Sequence, residues 1–277
     1  MDENTGEKLS REIREDVRSV LLSAGAVAVG FSEAGDISMG VAEDYERWIG
    51  EGCHGEMGYL ERHVPLRLNT DHVLPGARTV ISLAYSFRPK EWRDESLPYI
   101  SAYAYGPDYH VVLREIFNPV IARLKEELGG KWRLCIDSAP VAERYWALKS
   151  GIGKRGLNCA VIVDGCGPLC FLAEILTTIE IPPDRGVTEE TDASDLVAGW
   201  CSRCGRCLEV CPTGALRGDG TMDARRCINY LMIEKKSPLT ESEQKIVDSP
   251  PGHLLGCDRC LKVCRMGFAT EKPCLCF

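Results

Sequence analysis

The chain has 277 residues, 44% of them hydrophobic and 27% charged, with a formal net charge of −8. That length holds one large domain or two smaller ones with an ample core, and the acidic balance excludes nucleic-acid binding by overall charge. The longest apolar stretch, residues 19–31, is too short to span a bilayer, and the charged start MDENTGEKLSREIRED is no secretory signal; a cytoplasmic protein without a membrane span is expected.

Leu9, Ile13, Val17, Val20 and Leu21 recur at helical spacing, which predicts a helix over 7–24 stopped by Gly25. AVAVGFS (26–32) reads as a buried strand. Short helices follow around 43–50 and 55–62, separated by Gly-rich breaks. ARTVISLAYSF (77–87) and PYISAYAYG (98–106) read as strands. Residues 108–128 are helical with Pro119 inside, so a kink or a restart is expected there. KWRLCID (131–137) is a strand, and APVAERYWALKSG starts a helix with Pro140 near its first turn. CAVIVD (159–164) and LCFLAEILTTI (169–179) add two strands. This mixed α/β part ends near Ile181, and PPDRGVTEETDASD (182–195) has linker composition. The expected domains are residues 1–185 and residues 186–277.

The second domain holds ten of the fifteen cysteines. In a reducing compartment metal ligation is a better reading than disulfides. CSRCGRCLEVCP carries Cys201, Cys204, Cys207 and Cys211 in the C-x2-C-x2-C-x3-C-P spacing of two-cluster ferredoxins, where the fourth Cys of each run ligates the other cluster. GCDRCLKVC supplies Cys257, Cys260 and Cys264, and Cys227 is the best candidate for the missing member. The swap then puts one [4Fe–4S] cluster on Cys201, Cys204, Cys207 and Cys264, and the other on Cys211, Cys227, Cys257 and Cys260. Gly205, Gly214 and Gly256 relieve the crowded backbone. Zinc also takes four thiolates, but the CP ending and the crossed pattern favour clusters. Cys53, Cys135, Cys159, Cys166 and Cys170 sit in or near apolar segments and read as small core residues; Cys274 and Cys276 have no assigned role.

From Cys201 onward 12 basic residues face 9 acidic ones. Arg203, Arg206, Arg225, Arg226, Lys235 and Lys236 are therefore candidates for a local RNA-binding patch, against the blander reading of solvated surface charge. GIGKRG (151–156) matches G-x-G-x-x-G, but a helix precedes it and a strand follows, the reverse of a dinucleotide site. Asp108-Tyr109-His110 begins like a D-x-H-x-x-G cobalt-ligand box, but Leu113 replaces the glycine, so the histidines read as structural or surface groups. Asp137 ends a predicted strand, the edge where open α/β sheets bind ligands. The competing role is helix N-cap; Ser138 can do that alone, leaving Asp137 free to donate a proton.

HGEMGYLERH (54–63), LPGARTVISLAYSFRP (74–89), ISAYAYGPDYH (100–110), DSAPVAERYWALKSGIG (137–153), FLAEILT (171–177), CGRCLEVCPTGAL (204–216), DARRCINYLMIE (223–234) and GCDRCLKVC (256–264) together resemble the epoxyqueuosine reductases over nearly the whole chain. The resemblance implies an α/β (α+β) chain, with a nitroreductase-like cobalamin-binding domain followed by a two-cluster ferredoxin-like module. It implies removal of an epoxide oxygen from a modified tRNA base, the last step to queuosine, by cobalamin and two [4Fe–4S] clusters. It also implies kinship to reductive dehalogenases and cobalamin held without a histidine lower ligand. Asp137 matches the family's proton donor, and Arg62, Tyr103, Tyr105, Asp137, Gly156 and Asn158 are the expected cobalamin contacts. The expected partners are the anticodon region of tRNA and an electron donor such as flavodoxin or ferredoxin, for a monomer. The sequence departs from the family pattern where Arg265 follows Cys264 in place of Pro, where Ala102 replaces Arg and Leu157 replaces Lys, and in lacking a helical-repeat tail. Those departures leave open a paralogue acting on another substrate with the same cofactors, or an electron-transfer protein with a degenerate first domain. The retained DSAPVAERYWALKSG argues against the latter.

Overall fold

The computed structural model describes residues 3–184 and 199–265. Helix α1 (Glu3–Ser23) buries Val17 and Leu21, and Gly25 ends it with φ 115°. Strand β1 (Ala28–Glu33) follows, then α2 (Met39–Gly50), α3 (Gly58–Arg62) and α4 (Val64–Leu68). Strand β2 (Thr79–Ser86) is buried along its whole length, as a strand covered on both faces must be. Next come the short β3 (Tyr99–Ile100), α5 (Tyr109–Leu128), β4 (Trp132–Cys135), α6 (Glu143–Lys149), the hairpin β5 (Gly153–Arg155) and β6 (Val161–Val163), and β7 (Cys170–Thr177).

The main sheet has the order β1-β2-β7-β4, with every pair antiparallel. One face carries Phe31, Ile81 and Ile175 against Val17 and Leu21 of α1 and Leu113 and Phe117 of α5. Each such side chain contributes roughly 1.5–3 kcal/mol by leaving water. The other face carries Val80, Ala84 and Leu176 under α6, whose Trp146, Ala147 and Leu148 are buried. Helix α6 lies so close to β1 that a Cβ on Gly30 would meet the Ser150 carbonyl at 2.5 Å.

The cysteine-rich part contains α7 (Gly199–Ser202), α8 (Arg206–Glu209), α9 (Ile228–Ile233), α10 (Glu241–Val247), β8 (His253–Leu255) and α11 (Arg259–Lys262). It is locked to the first part. Strands β3 and β8 pair in parallel across the expected boundary. Asp258 accepts hydrogen bonds from the Ala102 N–H at 2.6 Å and from the Tyr99 hydroxyl. The Trp48 indole donates to Met222 O at 2.6 Å, and Ala224 N–H to Cys53 O at 2.9 Å.

Several elements differ from expectation. The 98–106 strand shrinks to β3, followed by a 3-10 turn at Ala102–Ala104, because the segment pairs only where β8 reaches it. Pro119 sits inside one uninterrupted α5, with no restart. Helix α6 begins at Glu143 with Ala142 as its N-cap, so Pro140 precedes it and neither Asp137 nor Ser138 caps it; the Ser138 hydroxyl donates to Ile136 O instead. Residues 182–184 are not a free tether, since Asp184 pairs with Arg18 at 2.7 Å and accepts from the Phe31 N–H. Among the described residues no helix is long and apolar enough to cross a membrane.

Candidate functional site

Strand β4 stops at Cys135, and Asp137 lies in the turn beyond it with φ +43°. A non-glycine residue there is uncommon, Asp and Asn being the side chains that tolerate it best. The conformation turns the Asp137 side chain outward, 61% exposed. Its carboxylate oxygen Oδ2 is 3.3 Å from His110 Nε2, and His110 Nδ1 is 2.8 Å from the exposed Asp108. The imidazole thus bridges two carboxylates. Tyr109 stacks on Phe171 at 4.0 Å, and burial, followed by its hydrogen-bonded neighbour Asp137, raises its phenol pKa. Tyr103 and Tyr59 are pushed up the same way, burial first, with Asp137 among the charges that act on both and Tyr59 reaching about 12. The acid therefore sits at an open face walled by Tyr59, Tyr103 and Tyr109.

Behind it lie two more acids. The Asp137 N–H donates to Glu143 Oε1 at 2.7 Å. Burial, then the Asp137 charge, pushes the Glu143 carboxyl up to about 7. Glu174 on β7 is fully buried, and neither of its carboxyl oxygens has a hydrogen-bond partner. Burial, then the Glu143 charge, raises its pKa well above the ordinary value.

Cys201, Cys204, Cys207 and Cys264 line one cavity of about 610 Å³, together with Asn158, Ile162 and the arginines 203, 206 and 265. The other four also gather. Cys227 adds its charge to the effects of burial on Cys257, raised to about 11, and on Cys260, while Cys211 adds to the effect of burial on Cys227. Burial tends to raise Cys211 as well, but hydrogen bonds from Thr213, Ala215 and Leu216 outweigh it and its pKa is lowered. Crowded thiolates of this kind need a cationic centre. Among the described residues no three His, Cys, Asp or Glu side chains close on a point as ligands of one ion would. Cys201, Cys204, Cys207 and Cys264 line a shared cavity, as four ligands of a cube of iron and sulfide would. Gly205 and Gly256 both adopt positive φ, and a Cβ on Gly256 would meet Asn229 Oδ1 at 2.7 Å.

The structure divides the expected cobalamin contacts. Tyr103 faces the Asp137 side, Tyr105 is half-buried two residues on, and Arg62 is exposed at the end of α3. Gly156 and Asn158 instead lie against the cysteine module: Asn158 Nδ2 donates to Cys260 O at 3.2 Å, and a Cβ on Gly156 would meet Asn158 Oδ1 at 2.4 Å. Leu157 packs on Cys201, Cys207 and Cys264, and its N–H donates to Cys201 Sγ. Ala102 is buried beneath Asp258. Asn158 and Leu157 thus lie against the cysteines, while Tyr103 feels the charge of Asp137, burial being the larger influence on it. Of the basic residues, Arg203 and Arg206 line the cysteine cavity, Arg225 pairs with Asp223 and Lys235 with Glu243. Cys53, Cys135, Cys159 and Cys166 are buried and Cys170 half-buried; Cys274 and Cys276 lie outside the described residues. His110, Tyr109 and Glu143 were missed from sequence. One signal was available for Glu174, a lone acid inside the apolar run LCFLAEILTTI.

The model of the family "Epoxyqueuosine reductase QueG, DUF1730" matches residues 67–138, and that of the "4Fe-4S double cluster binding domain" matches residues 200–267. The chain is 34% identical to the epoxyqueuosine reductase of Cyclobacterium marinum over 226 residues, covering 80% of this chain and 69% of that one. It is 31% identical to that of Leadbetterella byssophila over 255 residues, covering 92% and 80%. It spans less of others, 62% of the Escherichia coli enzyme. Among solved structures, an epoxyqueuosine reductase with a tRNA-Tyr epoxyqueuosine-modified stem loop superposes with TM-score 0.77 at 26% identity, covering 94% of this chain and 67% of that one. A Bacillus subtilis relative, TM-score 0.74 at 26% identity over 94% and 67% of the chains, has an Asp-bearing catalytic loop swung out of the active site. The fold is shared with a catabolic reductive dehalogenase, TM-score 0.52 at 14% identity over 91% of this chain and 31% of that one. With these identities and coverages, the chain belongs to the epoxyqueuosine reductase family.

Proposed function

We propose that this protein reduces epoxyqueuosine to queuosine in tRNA, with Asp137 as the proton donor. The observation that carries the reading is an outward-facing acid in a left-handed turn, held by His110 and Tyr109, on one body with two sets of four cysteines. The reaction breaks the epoxide C–O bonds, releases the oxygen as water, leaves a carbon–carbon double bond, and consumes two electrons and two protons. Bound here, cobalamin would supply the two-electron reducing chemistry, with the two [4Fe–4S] clusters as the source of electrons.

The chain's residues do the rest. Cys201, Cys204, Cys207 and Cys264 hold one cluster, and Cys211, Cys227, Cys257 and Cys260 the other. Cys204 is exposed in a cavity edged by Arg203, Arg206 and Arg265, where an acidic carrier such as flavodoxin or ferredoxin delivers electrons. Asp258, next to Cys257, accepts hydrogen bonds from Tyr99 and Ala102, which ties the second set of cysteines to the first part of the chain. Asp137 protonates the departing oxygen, a role worth typically 10²–10⁴ in rate. His110, spanning Asp137 and solvent-facing Asp108, returns the proton. Tyr103, Tyr105, Arg62, Gly156 and Asn158 contact the macrocycle. Residues 1–185 form the catalytic domain and 186–277 the cluster domain of a cytoplasmic monomer.

The test is an EPR spectrum of anaerobic, cluster-loaded protein with cob(II)alamin, followed by reaction with an epoxyqueuosine-containing stem loop. A base-off protein-bound signal and conversion to queuosine are expected. A free-cobalamin signal with both clusters present refutes cobalamin binding; a bound signal without conversion moves the substrate elsewhere.

A further inference from the structure

Asp137 is held in the left-handed region at φ +43°, which L-residues rarely adopt even though Asp tolerates it better than most. Something has to hold it there. Its side chain is outward and its contact with His110 is long at 3.3 Å. Its backbone N–H, by contrast, donates to Glu143 Oε1 at 2.7 Å. Glu143 stands at the first turn of α6, and α6 is anchored by the fully buried Trp146 and by its close approach to β1 at Gly30. Glu143 is thus carried by a helix packed through buried residues, and its side chain reaches out to the loop.

We propose that Glu143 is the positioning residue for the proton donor: its carboxyl oxygen grips the Asp137 N–H and keeps the loop in the strained, site-facing conformation. This rests on the reading of Asp137 as the acid. A charged acceptor strengthens such a hydrogen bond, but the Asp137 charge repels an ionised Glu143 and outweighs that gain, so the grip loosens as Glu143 ionises. The groups that face it set where this happens. Burial raises its pKa most, then the Asp137 charge, while the Asp137 N–H, Arg144 of α6 and Arg67 of α4 lower it. Glu174 on β7, Cys135 on β4 and Tyr109 on α5 are each raised first by burial and also feel its charge. With the carboxyl pushed up to about 7, the change falls near neutral pH.

The test compares wild type, Glu143→Gln and Glu143→Leu, all cluster-loaded. Amide hydrogen exchange of residues 136–139, corrected for intrinsic rate, is followed from pH 6 to 8. In wild type, protection should fall as pH rises through 7. In Glu143→Gln, which keeps an acceptor oxygen, protection should persist but lose its pH dependence. In Glu143→Leu it should fall at least tenfold, with kcat on the stem loop falling 10- to 100-fold at unchanged KM. Unchanged exchange in Glu143→Leu overturns the proposal, and so does an equal loss in the Gln variant. If the Leu variant does not fold, the wild-type and Gln exchange profiles still decide. Exchange needs no substrate, so a wild type inactive on epoxyqueuosine refutes the proposed function while the loop result stands.

Discussion

Replacing Asp137 by Asn separates the acid from its scaffold. Asn is nearly isosteric and tolerates positive φ, so the φ +43° turn and the Glu143 contact to the backbone N–H survive. Only the transferable proton is lost. A positioned general acid contributes typically 10²–10⁴ in rate, about 3–5.5 kcal/mol of barrier. Single-turnover conversion of an epoxyqueuosine stem loop should fall by that factor. Iron content should match wild type, because none of the eight cysteines is altered, and the cob(II)alamin EPR signal should persist, because Asn keeps the shape of the side chain. Asp137→Ala is a poorer probe, since it adds roughly 1–2 kcal/mol of strain at the turn. An Asn variant within threefold of wild type, with both cofactors loaded, would falsify the assignment of Asp137 as the acid.

Cys227→Ala should leave four irons per chain, because Cys227 groups with Cys211, Cys257 and Cys260 while the other set keeps all its cysteines; eight irons would refute the ligand assignment. Glu174→Leu should stabilise the fold by roughly 1–3 kcal/mol, since it removes a buried acid with two unpartnered oxygens; urea titration showing a loss above about 2 kcal/mol would mean that the acid is partnered. Glu143 has a folded pKa of about 7 against 4.5. Its contribution to stability is therefore fully present below 4.5 and lost as pH rises through 7. The loss is on the order of 3 kcal/mol, and it should be absent from urea titrations of Glu143→Gln.

Much of this molecule is legible in local pattern. Helix α1, strands β1, β2 and β7 and the two cysteine runs announce themselves through periodicity, β-branched runs and short spacing, all properties of neighbouring residues. Even Asp137 stands out, because a strand, an acid and a proline follow one another. What local pattern cannot carry is the partner across the fold. The 98–106 segment reads as a strand by composition, yet it extends only where β8, some 150 residues later, pairs with it. Pro119 reads as a break, yet α5 runs through it because Phe117 and Ile121 on either side are buried in the core.

The sequence by itself determined the chemistry in hand: eight cysteines for two clusters, an acid beside a helix, and a core large enough to hold them. The tertiary structure decided which groups act on that acid. His110 is 27 residues from Asp137, and Glu174 is 31 residues from Glu143. Only the antiparallel register of β4 against β7, with α6 laid across it, brings these charges together. The physical reason is that a pKa or a proton path depends on distance and burial in three dimensions, and residues far apart in the chain acquire both only when the sheet closes.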